Sequence, residues 1–213
     1  MQIKKLIVGP FEVNTYILIS EKSDKNNLLP AIIIDPGCEY NEMQDILENL
    51  DVKYILNTHG HFDHIIGNSS IKKIKNSKII IHKYDSEMLT EPEKNLSNYF
   101  LNNIKSNPAD IIIEDENFTI ELNEIKLNTI FVPGHTEGSI AFYFEKEKLL
   151  FSGDFIFENS IGRTDFPNSN HNRMIDSLKK ISNFPDDITV FPGHENFFLL
   201  GEFKKNIKDF ISF

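Results

Sequence analysis

Between Thr58 and His64 the chain reads Thr-His-Gly-His-Phe-Asp-His, which places three imidazoles and a carboxylate directly after the apolar run Tyr54-Ile55-Leu56. That run reads as a strand, so the fold must gather this polar chemistry at a strand end. A histidine buried for packing comes singly and needs one or two hydrogen-bond partners. Several imidazoles converging on one point repel each other's protons unless a cation holds them. The segment therefore predicts a metal centre. His59 and His61, at i and i+2 on extended backbone, point the same way, whereas Asp63 and His64 lie past the turn and aim elsewhere. One loop can in this way supply ligands to two adjacent metals.

Three further candidates follow apolar runs. Phe131-Val132-Pro133-Gly134-His135 ends a strand in a Pro-Gly turn, Leu149 to Gly153 leads into Asp154, and Ile188 to Gly193 repeats the first arrangement at His194. Glycine ahead of each lets the backbone turn sharply, so that the side chain projects from the sheet edge into a shared cleft.

The bulk of the chain allows an enzyme and excludes several other classes. Its 213 residues are 40% hydrophobic, enough for a sizeable core, and the expectation is a single domain spanning 1–213. A formal net charge of -10, with Lys and Arg scattered, argues against nucleic acid as a partner. The single cysteine, Cys38, excludes an internal disulfide framework and a cysteine-based zinc cluster, which suits a reducing compartment. It follows Pro-Gly and reads as a turn residue. The apolar stretch near Met1 is too short for a signal peptide, and no run reaches the length of a membrane span. The expected setting is cytoplasmic, with no membrane partner.

Strands are predicted at Tyr16 to Ile19, Ala31 to Ile34, Tyr54 to Leu56, Ile79 to Ile81, Ile125 to Val132, Ile140 to Phe144 and Leu149 to Phe151. Helical spacing marks Asn41 to Leu50, Asn170 to Ile181 and Glu202 to Phe213. Lys22 to Asn27 and Asn102 to Asn107 read as solvated loops, as does Glu91 to Lys94. The abundant Phe residues are assigned mostly to core filling. His82 and His171 lack partners at ligand spacing and take surface or capping roles.

The order His59, His61, Asp63, His64, then His135, Asp154 and His194 resembles the metallo-β-lactamase superfamily. Gly9-Pro10, Asn14-Thr15-Tyr16, Ile34-Asp35-Pro36-Gly37 and the Gly162 to Pro167 segment are similar to its glyoxalase II-like branch. The resemblance implies an α+β fold, an αββα sandwich of two mixed β-sheets flanked by helices. It implies that His59, His61 and His135 take one metal and Asp63, His64 and His194 the other, with Asp154 bridging. Two divalent transition metals are expected, zinc first, and iron or manganese also suit mixed imidazole and carboxylate ligation. The implied reaction is hydrolysis of a small acyl thioester, as in hydroxyacylglutathione hydrolases, by a metal-bound hydroxide. Asp63 is then the nearest thing to a catalytic side chain, and Arg163 takes the place of the family's basic residue for the substrate's carboxylate.

Two departures leave the thiol carrier open. Glu195 to Phe213 makes one helix where glyoxalase II enzymes carry a helical domain, and Asn196 stands where they commonly place a tyrosine. Two alternatives remain. Persulfide dioxygenases share the fold and hold one iron at positions corresponding to His59, His135 and Asp154. A non-catalytic binding protein of the same fold is the third reading.

Overall fold

The apolar runs at Val13–Ile19 and Leu29–Ile34 are buried along both faces, with Tyr16, Leu18, Ile32 and Ile34 in one core and Ile17, Ile19, Ala31 and Ile33 in another. A strand covered on both sides takes an apolar residue at nearly every position, so these segments lack the alternation of a half-exposed strand. They belong to the first of two six-stranded sheets in the computed structural model, which describes residues 1–24, 27–100, 103–114 and 116–211.

The first sheet runs β1 (Gln2–Val8), β2 (Val13–Ile19), β3 (Leu29–Ile34), β4 (Leu50–Leu56), β5 (Lys78–His82) and β6 (Ile111–Ile113) in spatial order. Its first three strands pair antiparallel, and β3 through β6 pair parallel. The second contains β7 (Thr119–Leu122), β8 (Ile125–Phe131), β9 (Ile140–Phe144), β10 (Leu149–Gly153), β11 (Thr189–Pro192) and β12 (Phe198–Leu199), antiparallel except for β10 with β11.

Tyr16, Leu56 and Ile80 of the first sheet meet Leu127, Phe142 and Phe151 of the second in the central core. On the outer face of the first sheet lie α1 (Tyr40–Leu47), α2 (Phe62–Ile65) and α3 (Asn68–Lys75), held through residues such as Met43, Ile65 and Ile71. A short α4 (Ser97–Phe100) follows. The second sheet is covered by α5 (His171–Ser182) and α6 (Leu200–Ile211). Met174, Leu178 and Ile181 of α5 are fully buried there, each contributing about 1.5–3 kcal/mol of apolar burial. The result is the expected αββα sandwich of two mixed sheets. Among the described residues, no helix is long and apolar enough to cross a membrane.

Local differences from the sequence expectations have physical causes. Leu50 fits the helix face of α1 by spacing, yet the helix stops at Leu47 and Leu50 opens β4 by pairing with Leu29. Its side chain joins the same outer core, so periodicity could not tell the two apart. The strands β6 and β12 are apolar but only three and two residues long, and β1 and β7 interleave polar residues, so none reads alone as a strand and each forms against a neighbour that supplies backbone partners. The expected loops at Lys22 to Asn27 and Asn102 to Asn107 are irregular where described, although Ser106 turns inward. Residues 25, 26 and 102 of those loops, and 212 and 213 of the expected last helix, lie outside the described residues.

His82 is buried at the end of β5, not on the surface, and it does cap: its Nδ1 accepts the Tyr84 N–H at 3.4 Å while its ring stacks on Phe131 at 4.5 Å. Burial, helped by Lys83, pushes it down to about 4. Because this is below the ordinary histidine value of about 6.5, the unfolded chain binds the extra proton first. The stability His82 contributes is therefore present above about pH 6.5 and lost as pH falls towards 4. His82→Gln should lose less stability than the native protein between pH 7.5 and pH 4.5 in urea titrations. Equal losses would remove His82 from the account.

Candidate metal centre

Each chemically active side chain sits just past the C-terminal end of a strand, and all of these ends meet at one edge of the sandwich. From β4 the chain passes through Asn57, Thr58, His59 and Gly60 to His61, the residue before α2, whose first turn carries Asp63 and His64. His135 follows β8, Asp154 follows β10 and His194 follows β11. The structure brings the donor atoms of His59, His61 and His135 within 4.8 Å of one another, and likewise those of Asp63, His64 and His194. The i, i+2 pair thus falls in one group and the post-turn pair in the other, as the spacing predicts.

Asp154 lies between the groups. Its Oδ1 is 3.5 Å from His64 Nε2, and its Oδ2 is 3.6 Å from His135 Nε2 and 3.5 Å from His194 Nε2. Asp63 Oδ2 stands 3.7 Å from His64 Nε2 and 3.6 Å from His194 Nε2. These distances are too long for good hydrogen bonds. They match two donors that each stand about 2.1 Å from a shared cation. The Nε2 atoms of His59, His61 and His64 and Oδ1 of Asp154 are buried without a hydrogen-bond partner, a cost of about 1–3 kcal/mol apiece unless something fills the role. The donor set fits divalent transition metals.

A buried scaffold behind the rings sets their tautomers. Asp35 Oδ2 accepts the Thr58 Oγ1–H at 2.6 Å and faces His64 Nδ1 at 3.1 Å, and Thr58 Oγ1 in turn lies 3.1 Å from His59 Nδ1. The assignment that satisfies this chain puts a proton on Nδ1 of both rings and leaves Nε2 as a lone-pair donor. His135 Nδ1 donates to the Arg163 carbonyl at 2.9 Å with the same effect. Asp35 holds this position with φ of 49°, a region that few non-glycine residues occupy. Asp85 does comparable work for the backbone. Fully buried, it accepts the Gly60 N–H at 3.0 Å, the Gly138 N–H at 2.8 Å and the Thr136 Oγ1–H at 2.6 Å, so that it ties the His59 loop to the His135 loop.

The electrostatics divide the site in two. Burial first, then the neighbouring imidazoles, holds His59 and His61 well below their ordinary value, and burial lowers His135. Burial also acts against a charged His64, but Asp63, Asp154 and Asp35 together outweigh it and raise this ring to about 10. His194 is raised in the same way by Asp63 and Asp154 against its burial. Asp63, which burial alone would raise, is held well below the usual carboxylate range chiefly by His64 and His194. The three carboxylates thus attract positive charge to one point, whether as protons or as a cation.

The glycines before the ligand candidates serve different ends. Gly153 has φ of +52° and makes the turn that presents Asp154. Gly193 makes no such turn; a Cβ there would meet Asp154 Oδ1 at 2.2 Å and His64 Cε1 at 2.8 Å, so its role is close approach.

Above the clustered groups opens a cavity of about 340 Å³, with His61, Asp63, His135 and Asp154 among its lining and several Phe side chains around them. Phe11, Phe100, Phe157 and Phe166 are therefore site residues, not core filling, and nothing in their local sequence marks them out. Arg163 also lines the cavity, but its Nε and Nη2 donate to the Asp165 carboxylate at 2.7 and 2.8 Å and its guanidinium lies 4.0 Å over the Phe166 ring. Cys38 is buried and its thiol is pushed up to about 12 by burial, then by Glu42 and Glu39, which makes it inert as a nucleophile. His171 starts α5, its Nδ1 3.1 Å from Thr164 Oγ1 and away from the cluster.

Comparison with known proteins places this geometry among relatives. A family model described as the metallo-beta-lactamase superfamily matches residues 8–194. The hydroxyacylglutathione hydrolase GloC of Haemophilus influenzae is 31% identical over 97% of this chain and 96% of its own length. The probable metallo-hydrolase YqgX of Bacillus subtilis is 30% identical over 91% of this chain and 90% of its own. Among solved structures, the B3 metallo-beta-lactamase BLEG-1 superposes with a TM-score of 0.85 at 30% identity, covering 94% of this chain and 95% of that one.

Proposed function

This chain belongs to the metallo-beta-lactamase superfamily, and within it we propose that the protein is a metal-dependent hydrolase of small acyl thioesters. The observation that carries the reading is the set of buried, partnerless donor atoms on His59, His61, His64 and Asp154 at the floor of an open cavity. His59, His61 and His135 would hold one divalent cation and Asp63, His64 and His194 a second, with Asp154 shared. Zinc is the first choice and iron or manganese suit the same donors. When bound, such a pair supplies Lewis acidity and a water whose pKa falls towards about 7.

The chain's own groups do the rest. Asp63, kept ionised by its histidine neighbours, would accept a hydrogen bond from the nucleophile and fix its direction towards the carbonyl carbon. The carbon–sulfur bond then breaks and sulfur leaves as thiolate. At a thiol pKa of about 8.5 it needs no general acid. Arg163, at the cavity wall with one face covered by Phe166, would contact the substrate through the guanidinium N–H groups that Asp165 leaves free.

The test is a panel of acyl thioesters offered to zinc-loaded and iron-loaded protein with and without oxygen. Hydrolysis should release one thiol per acid formed, proceed anaerobically and survive Cys38→Ser. Strict dependence on iron and oxygen, with a persulfide as substrate and sulfite as product, would transfer the protein to the dioxygenase reading.

A further inference from the structure

The cavity wall specifies more than a reaction. Phe11, Phe62 and Phe100 pack on one another around the opening, with ring centroids 5.1 Å apart for Phe11 and Phe62 and 5.8 Å for each of the other two pairs. Phe11 and Phe100 nevertheless remain 37% and 53% exposed. Large aromatic faces left to water beside a reactive centre are stabilised when an apolar group covers them. Phe157 and Phe166 continue the apolar lining on the Arg163 side.

Charge points the same way. Arg163 is the one Lys or Arg among the described residues that line the cavity, and Asp165 already occupies its Nε and Nη2 donors. A carboxylate on the acyl group would meet a single guanidinium, already paired with Asp165, and otherwise a largely aromatic wall that cannot replace its hydration. A volume of about 340 Å³ lies at the small end of ligand pockets, about 300–1,000 Å³. It has room for one ring-sized group and not for a long charged carrier, which must leave by the open mouth.

Resting on the thioesterase reading above, we propose that the phenylalanine-lined cavity selects thioesters whose acyl group is uncharged and apolar, aromatic acyl groups first, with the thiol portion directed to solvent.

The experiment separates this selection from the reaction. Metal-loaded protein and its Phe11→Ala and Phe100→Ala variants are given acetyl, phenylacetyl and succinyl thioesters of one uncharged thiol, N-acetylcysteamine. In parallel, ketone analogues with methylene in place of sulfur are titrated calorimetrically. Phenylacetyl should exceed both acetyl and succinyl about tenfold in kcat/KM and in analogue affinity. Each Phe→Ala change should shrink the phenylacetyl-to-acetyl ratio severalfold, the scale expected for losing one apolar contact surface. Succinyl equal to or better than phenylacetyl, ratios unmoved by either substitution, or a preference that follows the thiol and not the acyl group would overturn the proposal. If the analogues bind with the apolar preference but no thioester is cleaved, the selection stands and the hydrolytic reading fails.

Discussion

Asp154→Ala should purify with less than one metal ion per chain, against up to two in the native protein, and lose roughly a thousandfold or more in thioester hydrolysis. Asp154 faces the Nε2 atoms of imidazoles from both groups, His64 on one oxygen and His135 and His194 on the other. Its loss therefore weakens both positions together, whereas losing His61 or His194 removes a donor from only one. The fold should survive, because the side chain lies past the end of β10 and contributes nothing to the apolar cores. Metal analysis on protein purified without added metal, with circular dichroism as the check on folding, reads the outcome directly. A full metal complement with undiminished turnover would sink the shared-carboxylate assignment. Asp154→Asn keeps the shape while removing the charge, so it should fall between the two if charge balance matters as much as geometry.

Asp85→Ala should cost stability as well as function. The substitution strands the buried N–H groups of Gly60 and Gly138, while the hydroxyl of Thr136 keeps Ser139 Oγ at 2.7 Å. At about 1–3 kcal/mol for each buried group left unpaired, the loss should be roughly 3–5 kcal/mol, in the upper range for single substitutions. Metal affinity should fall too, because the loops of His59 and His135 lose the carboxylate that joins them. Asp85→Asn retains an acceptor oxygen but turns a donating NH₂ towards one of the same groups, so it should recover only part of the stability. Urea unfolding of the three proteins, native, Ala and Asn, checks the order. A variant within about 0.5 kcal/mol of native stability, the scatter of neutral surface changes, would mean that water or a loop shift replaces the carboxylate.

The donor residues were legible because their signal is local. Three imidazoles and a carboxylate after Leu56 need no tertiary knowledge to be read as ligand chemistry, and the glycines before His135, Asp154 and His194 mark the same strand-end placement. The helix around α1 was legible for the same reason, through the spacing of Met43 and Leu47, but its end was not. Leu50 serves the outer core equally well as the next helical residue or the first strand residue, and only the pairing with Leu29 chooses.

What belonged to the chain's local pattern was the kind of donor, the strand ends that carry it and the order of the two groups. What waited on the folded arrangement was everything made by segments far apart in sequence. Asp35 meets His64, Asp85 meets Gly60 and Thr136, and Phe11 meets Phe62 and Phe100 only once the sheets have stacked. An aspartate after a strand or a phenylalanine in a turn looks the same whether it faces solvent or a metal cluster. Hydrogen bonds and apolar contacts across such separations leave no periodicity to read, because their partners are set by how the layers pack and not by neighbours along the chain.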